Sequence, residues 1–246
     1  MCAIPRFVRT AWLLPLVLVA CSVWAAPPAG GKAPLPAVRW AEGNPGCTFE
    51  RGEDGKYRYG VWSGDVGVTL AIDSQELQKV HRRGSEPMVG VLLTVRYRGT
   101  DSLNLKTDHV SLEFVKHYHV IHIALDPEEL ATTLQSSADS FSDETEHEIS
   151  KHPEKKEEKE AVLQAYQKDL TEMLEFLSNH SLRPAKLDTG TPEASGWLFF
   201  STRSKWIGEW RKQEDLVLRI PLNNQLFEIP FSLPPTEGDL ILRKRP

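Results

Sequence analysis

The sequence predicts a mainly β fold, an antiparallel β-sandwich with a helical insertion over about residues 126–180 packed across one side. Three observations lead there. Residues 87–105 (PMVGVLLTVRYRGTDSLNL) alternate, with Val89, Val91, Leu93, Val95 and Tyr97 on one strand face and Gly90, Leu92, Thr94, Arg96 and Arg98 on the other. Towards the C-terminus Leu216, Leu218, Ile220 and Leu222 alternate, Asn223-Asn224 turns the chain, and Phe227, Ile229, Phe231 and Leu233 alternate again, which reads as a hairpin. Between these stretches Val162, Tyr166, Leu170, Met173, Leu174 and Leu177 recur at helical spacing. The strands before residue 125 and those after residue 195 each carry too little apolar surface to stand alone. They are therefore expected to close on one shared interior.

The first segment reads as an export signal. Arg6 and Arg9 form a basic start, residues 11–20 (AWLLPLVLVA) an apolar run too short to span a bilayer, and two endings compete. Val23 and Ala25 place small residues where a signal peptidase cuts ahead of Ala26, whereas Leu18-Val19-Ala20-Cys21 resembles the lipoprotein box in which Cys21 is acylated. Residues 1–25 are thus read as a signal peptide with cleavage before Cys21 or Ala26. Residues 26–45, which open with APPAGGKAPLPAV, are read as a Pro/Ala/Gly-rich tether, able to hold a domain off a membrane by up to roughly 40 Å. Residues 46–243 then form a single domain with the insertion at 126–180.

Composition narrows the function classes. Of 246 residues, 40% are hydrophobic and 26% charged, an ordinary globular balance, and the net charge of −5 weighs against a nucleic-acid partner. Loss of residues 1–25 removes Arg6 and Arg9 and no acid, making the mature chain more acidic still. Of the three cysteines, Cys2 and Cys21 lie in the export signal, so Cys47 is alone in the folded part and no disulfide framework exists there. Cys47 shares no local motif with a histidine and is read as a buried or tolerated thiol.

In chain order, residues 57–63 (YRYGVWS) and 66–72 (VGVTLAI) are strands joined at Gly64-Asp65 as a hairpin. Residues 73–80 read as a short helical turn or connector, and His81-Arg82-Arg83 as a solvated basic loop. After the central strand, residues 108–114 bring Val110, Leu112 and Phe114 to one face. Residues 115–125 (VKHYHVIHIAL) read as a further strand with Val115, His117, His119, Ile121 and Ile123 on one side. Two imidazoles at i, i+2 on a strand point the same way and suit zinc or copper, so His117 and His119 are the candidate metal ligands, with Asp108 and Glu113 as neighbouring acids. No third ligand stands at a recognisable spacing, and HExxH is absent.

Asp126-Pro127-Glu128-Glu129 opens a helix, with a capping acid, proline at the first position and two carboxylates at the positive end of the dipole. It is expected to run to about Gln135, followed by a loop over residues 136–143 (SSADSFSD). Residues 154–180 read as one long helix, charged in its first half and apolar-striped in its second. Residues 181–195 return as a loop. Strands resume with residues 196–203 (GWLFFSTR), residues 206–210 are ambiguous, and residues 240–242 suit a short last strand.

The phrase GVLLTVRYRGTDSLNL resembles the vxVtVxNxGxxplxL phrase of bacterial secreted immunoglobulin-like sandwiches, among them small lipoproteins of uncharacterised families. GWLFF followed by LVLRIPL and FEIPFSL is similar to the second half of those domains. The likeness covers about half of the chain and departs from the pattern at Tyr97, where asparagine is common, and in the helical insertion. It implies an immunoglobulin-like, extracytoplasmic and non-catalytic domain with no catalytic residues to carry across. The resulting expectation is an exported, lipid-anchored envelope protein, a binding or structural module without a cofactor. Its partners would be the membrane through Cys21, and an envelope protein or polymer. The competing expectation is a periplasmic metal-binding protein or hydrolase using His117 and His119. GxSxG, a P-loop, a dinucleotide fingerprint and a paired-carboxylate motif are all missing from the sequence.

Overall fold

The computed structural model describes residues 34–72, 88–203 and 213–233. Residues 1–33, with Cys21 and the export signal, lie outside them, as do residues 73–80, the 81–85 loop, and residues 206–210 and 240–242.

Among the described residues the chain is mainly β, with two five-stranded sheets, a two-stranded one and two long helices. The strands are β1 (Ala37–Arg39), β2 (Cys47–Arg51), β3 (Tyr57–Ser63), β4 (Val66–Ile72), β5 (Met88–Tyr97), β6 (Leu103–Leu105), β7 (Ser111–Phe114) and β8 (Val120–Ile123). After the helices come β9 (Ala185–Leu187), β10 (Glu193–Ser201), β11 (Glu214–Leu222) and β12 (Gln225–Leu233). The first sheet has the order β1-β12-β11-β7-β8 and the second β10-β5-β4-β3-β2, while β6 pairs with β9. All pairings are antiparallel except β1 on β12.

The alternation read from the sequence sets the burial. Val89, Val91, Leu93 and Val95 are at most 1% exposed, whereas Arg96 on the other face is exposed. These side chains join Val66, Val68 and Leu70 of the second sheet with Leu112, Phe114, Leu216, Leu218, Phe227 and Ile229 of the first in one apolar cluster. Residues before Asp126 and after Ser195 thus share an interior. The turns follow their local chemistry. Gly64 takes φ 55° between β3 and β4, and Asn223 and Asn224 take φ 47° and 59° between β11 and β12, the left-handed pair that a two-residue hairpin turn requires.

The insertion is a helical pair, α1 (Pro127–Lys151) and α2 (Lys156–His180), joined through a 3-10 turn at Pro153–Lys155. Asp126 caps α1, its carboxylate accepting from the amides of Glu128 at 2.8 Å and Glu129 at 3.0 Å. Leu130, Leu134 and Ala138 of α1 and Leu170, Met173 and Leu177 of α2 pack with Met88, Trp197 and Phe199, the outward residues of β5 and β10.

Five expectations are corrected. Residues 181–195 are not loop throughout, because residues 185–187 form β9 against β6 and β10 begins at Glu193. The loop at residues 136–143 is mid-helix. Hydroxyls of Ser137 and Ser140 bond back to the carbonyls of Thr133 and Ser136, and Ala138 is buried, so the serines remain within the helix. The single long helix over residues 154–180 begins instead with the 3-10 turn, because the helical run starts only at Lys156. Residues 26–45 are not tether throughout. Residues 37–39 are strand β1, and Trp40 is buried against Phe49 and Tyr59 with its indole N–H donating to the Thr48 carbonyl at 3.0 Å. Residues 115–125 do not continue one strand. After Phe114 the chain reverses and comes back as β8 against β7, because two successive turns, closed by the His117 amide on the Phe114 carbonyl at 3.2 Å and the Val120 amide on the His117 carbonyl at 3.1 Å, fold it back.

Candidate functional site

The candidate histidines sit in the β7–β8 connection. The His117 carbonyl accepts from the Val120 amide at 3.1 Å, and the two residues between, Tyr118 and His119, take φ 55° and 56°. The same geometry costs Asn223-Asn224 little, but a tyrosine and a histidine in the left-handed region each cost about 1–2 kcal/mol. Side chains therefore have to hold this turn. Lys116 donates to the Gln213 carbonyl at 3.0 Å and pairs with Asp215 at 3.1 Å. His117 Nε2 lies 2.7 Å from Glu214 Oε2, and His119 Nδ1 contacts the Glu113 carboxylate. The Tyr118 ring at the tip is 81% exposed.

Strand parity explains why the histidines part. Glu214 shares the inward face of β11 with Leu216, Leu218 and Ile220, whereas Glu113 lies between the inward Leu112 and Phe114 and faces the other way. His117 and His119 thus reach opposite faces of the sheet, each to its own glutamate. The i, i+2 chelate expected for an extended strand is not formed, because the two residues are in a turn. Among the described residues no group of three or more His, Cys, Asp or Glu is arranged to hold a metal. Asp108, the other candidate acid, stands ahead of β7 beside His109 at 3.9 Å. Cys47 is half-buried on β2 against the core.

The outer face of the first sheet carries a charged row that crosses four strands. Arg39 of β1 bonds Glu228 of β12 at 2.9 Å, Glu228 accepts from Arg219 Nε of β11 at 2.9 Å, Arg219 pairs with Glu113 of β7, and Glu113 meets His119. Burial works against the Glu113 charge, but the hydrogen bonds from His119 and Arg219, with their charges, outweigh it and hold its carboxyl below the usual range. Burial likewise opposes the Arg219 cation, and its bonds to Glu228 and Glu113 raise its pKa above the ordinary value. On β8, burial lowers the pKa of His122, whose ring stands edge-on to Phe114 at 5.7 Å.

The chain matches no protein-family model, no curated protein and no solved structure.

Chemically, each acid of the turn and row faces a base, so the arrangement balances charge and fixes a turn. The sequence reading missed Glu214, Arg219, Glu228 and Arg39. The first three were within its reach. The Asn223-Asn224 turn sets Arg219 opposite Glu228, and Glu214 is an acid in the inward phase of a strand. Arg39 was beyond it, since a three-residue strand has no period to read.

Proposed function

We propose that the chain is an exported, lipid-anchored, non-catalytic protein of a bacterial envelope, built as an immunoglobulin-like β-sandwich and acting as a binding or structural module. The observation that supports the structural reading is that Glu113, Glu214 and Glu228 each face a histidine or arginine within the turn and the sheet, the arrangement of an ion-pair network that fixes a fold. The lipoprotein box Leu18-Val19-Ala20-Cys21, followed by the proline-rich residues 26–36, supports a tether between membrane and sheet. Two faces packed over one apolar core support the sandwich. The partner would be an envelope protein or polymer met by the helical pair and the loops.

Mass spectrometry of the mature N-terminus, on protein purified from the membrane of its own cell, tests the anchor. Acylated Cys21 is the expected result, and a chain starting at Ala26 would refute it. On the same material, in-cell crosslinking is expected to give a discrete adduct to an envelope component. Turnover of a substrate that Glu113→Gln and His117→Gln abolish would refute the non-catalytic reading.

A further inference from the structure

The two helices of the insertion differ in what keeps them helical. Of the described residues between Ala138 and Leu170 only Thr145 is buried, at 5% exposed, and residues 150–158 are all exposed. Each helix there depends on its own propensity and on the other helix. Among residues 139–151 of α1 the strong helix formers are Glu144, Glu146, Glu148 and Lys151, and the others are serine, aspartate, threonine, histidine, phenylalanine and isoleucine. Ser140, Thr145 and Ser150 donate their hydroxyls to the carbonyls of Ser136, Phe141 and His147. Residues 156–168 of α2 (KEEKEAVLQAYQK) are strong formers apart from Val162 and Tyr166. Glu157 and Glu158 stand in its first turn, where the helix dipole favours acids, and Lys156 meets Glu160 one turn on at 3.8 Å.

What holds this half of α1 is therefore its seam with α2. Phe141 lies on Tyr166 at 4.9 Å, Lys159 bonds Glu148, and Ile149 and Leu163 are half-buried. A helix so short and so poor in helix formers does not persist in water without such docking. The chain can also leave the seam without moving either anchor. Residues 139–155 need to bridge about 20 Å of helix length, and extended they reach about 55 Å.

We propose that residues 139–152 are a detachable strap on α2. They unfold together and swing off while α2 and the two sheets keep their structure, and in leaving they uncover Leu163 and Tyr166 on the apolar stripe of an intact helix. Leu130, Leu134 and Ala138 keep the first half of α1 packed with Met88, Trp197 and Phe199, so the opening stops there. The strap is a conformational device of the two helices. It does not depend on the reading of the chain as an envelope protein.

Amide hydrogen exchange on the full chain tests it. Protection factors over residues 144–151 are expected to be at least about tenfold lower than those over residues 161–168. Tyr166→Ala removes the ring that Phe141 rests on and gives α2 a stronger helix former. It is expected to lower protection over residues 144–151 about tenfold further and to leave residues 161–168 within about twofold of the wild type. Ser140→Ala combined with Ser150→Ala, both at exposed positions, is expected to raise protection over residues 144–151 about fivefold, with the Val91 and Leu93 amides of β5 unmoved. Equal protection in the two wild-type segments, a joint fall of both in Tyr166→Ala, or no gain in the double serine variant overturns the strap.

Discussion

Glu113 is an acid in a place where an acid is costly. Only 6% exposed, it stays ionised because Arg219 and His119 bond it from two sides. Its folded-state pKa is depressed below the ordinary 4.5, so the stability it contributes is present above that value and is lost as pH falls through the folded one. In urea titrations at decreasing pH, the wild type is expected to lose stability below about pH 4.5 more steeply than Glu113→Gln. Parallel profiles for the two proteins would mean that the bonds at Glu113 do not couple to folding. How legible such residues are depends on the turn beside them. Asn223-Asn224 announces a reversal, so the register of β11 on β12 can be read from the sequence. Tyr118-His119 makes a reversal of the same kind with residues that give no such signal, so the alternation around the histidines reads as a continuous strand.

At the scale of elements, α1 and α2 differ along their length. Each has 25 residues, a length of about 37 Å, yet the side chains that meet the sheet come from the first half of α1 and the second half of α2. Beyond them the helices hold chiefly each other, through Phe141 on Tyr166 at 4.9 Å and the Glu148–Lys159 pair. Leu177, 1% exposed, is at the packed end, and Val162, 51% exposed, is at the far one. Leu177→Ala is expected to cost about 2–5 kcal/mol in chemical denaturation, and Val162→Ser within about 0.5 kcal/mol of nothing. Equal losses would mean that the pair is one rigid packing unit. The apolar stripe of α2 was plain in its spacing. The continuity of α1 is hidden because serine and aspartate favour turns in isolation, and only the burial of Ala138, the Phe141 ring on Tyr166 and the hydroxyl-to-carbonyl bonds show them helical.

For the whole molecule, the decisive fact is a core assembled from residues far apart in sequence. It was foreseeable, because strands poor in apolar area on either side of the insertion had to find each other. The placing of the N-terminal arm was not. Trp40, 6% exposed, enters an aromatic group with Phe49 and Tyr59, which in turn approaches Phe231 at 6.4 Å. Trp40→Ala is expected to lower stability by about 3–5 kcal/mol in a thermal or urea melt, and a change under about 1 kcal/mol would mean that the arm is merely laid against the fold. More than stability rests on this arm. Through Ala37, Val38 and Arg39 it covers Leu226, Phe227 and Glu228 on the border of β12, whose outward amides and carbonyls there would otherwise be open to a passing strand. Dislodging the arm would thus trade a self-contained particle for a sticky one, and light scattering of the Trp40→Ala protein should reveal growing aggregates where the wild type stays monodisperse.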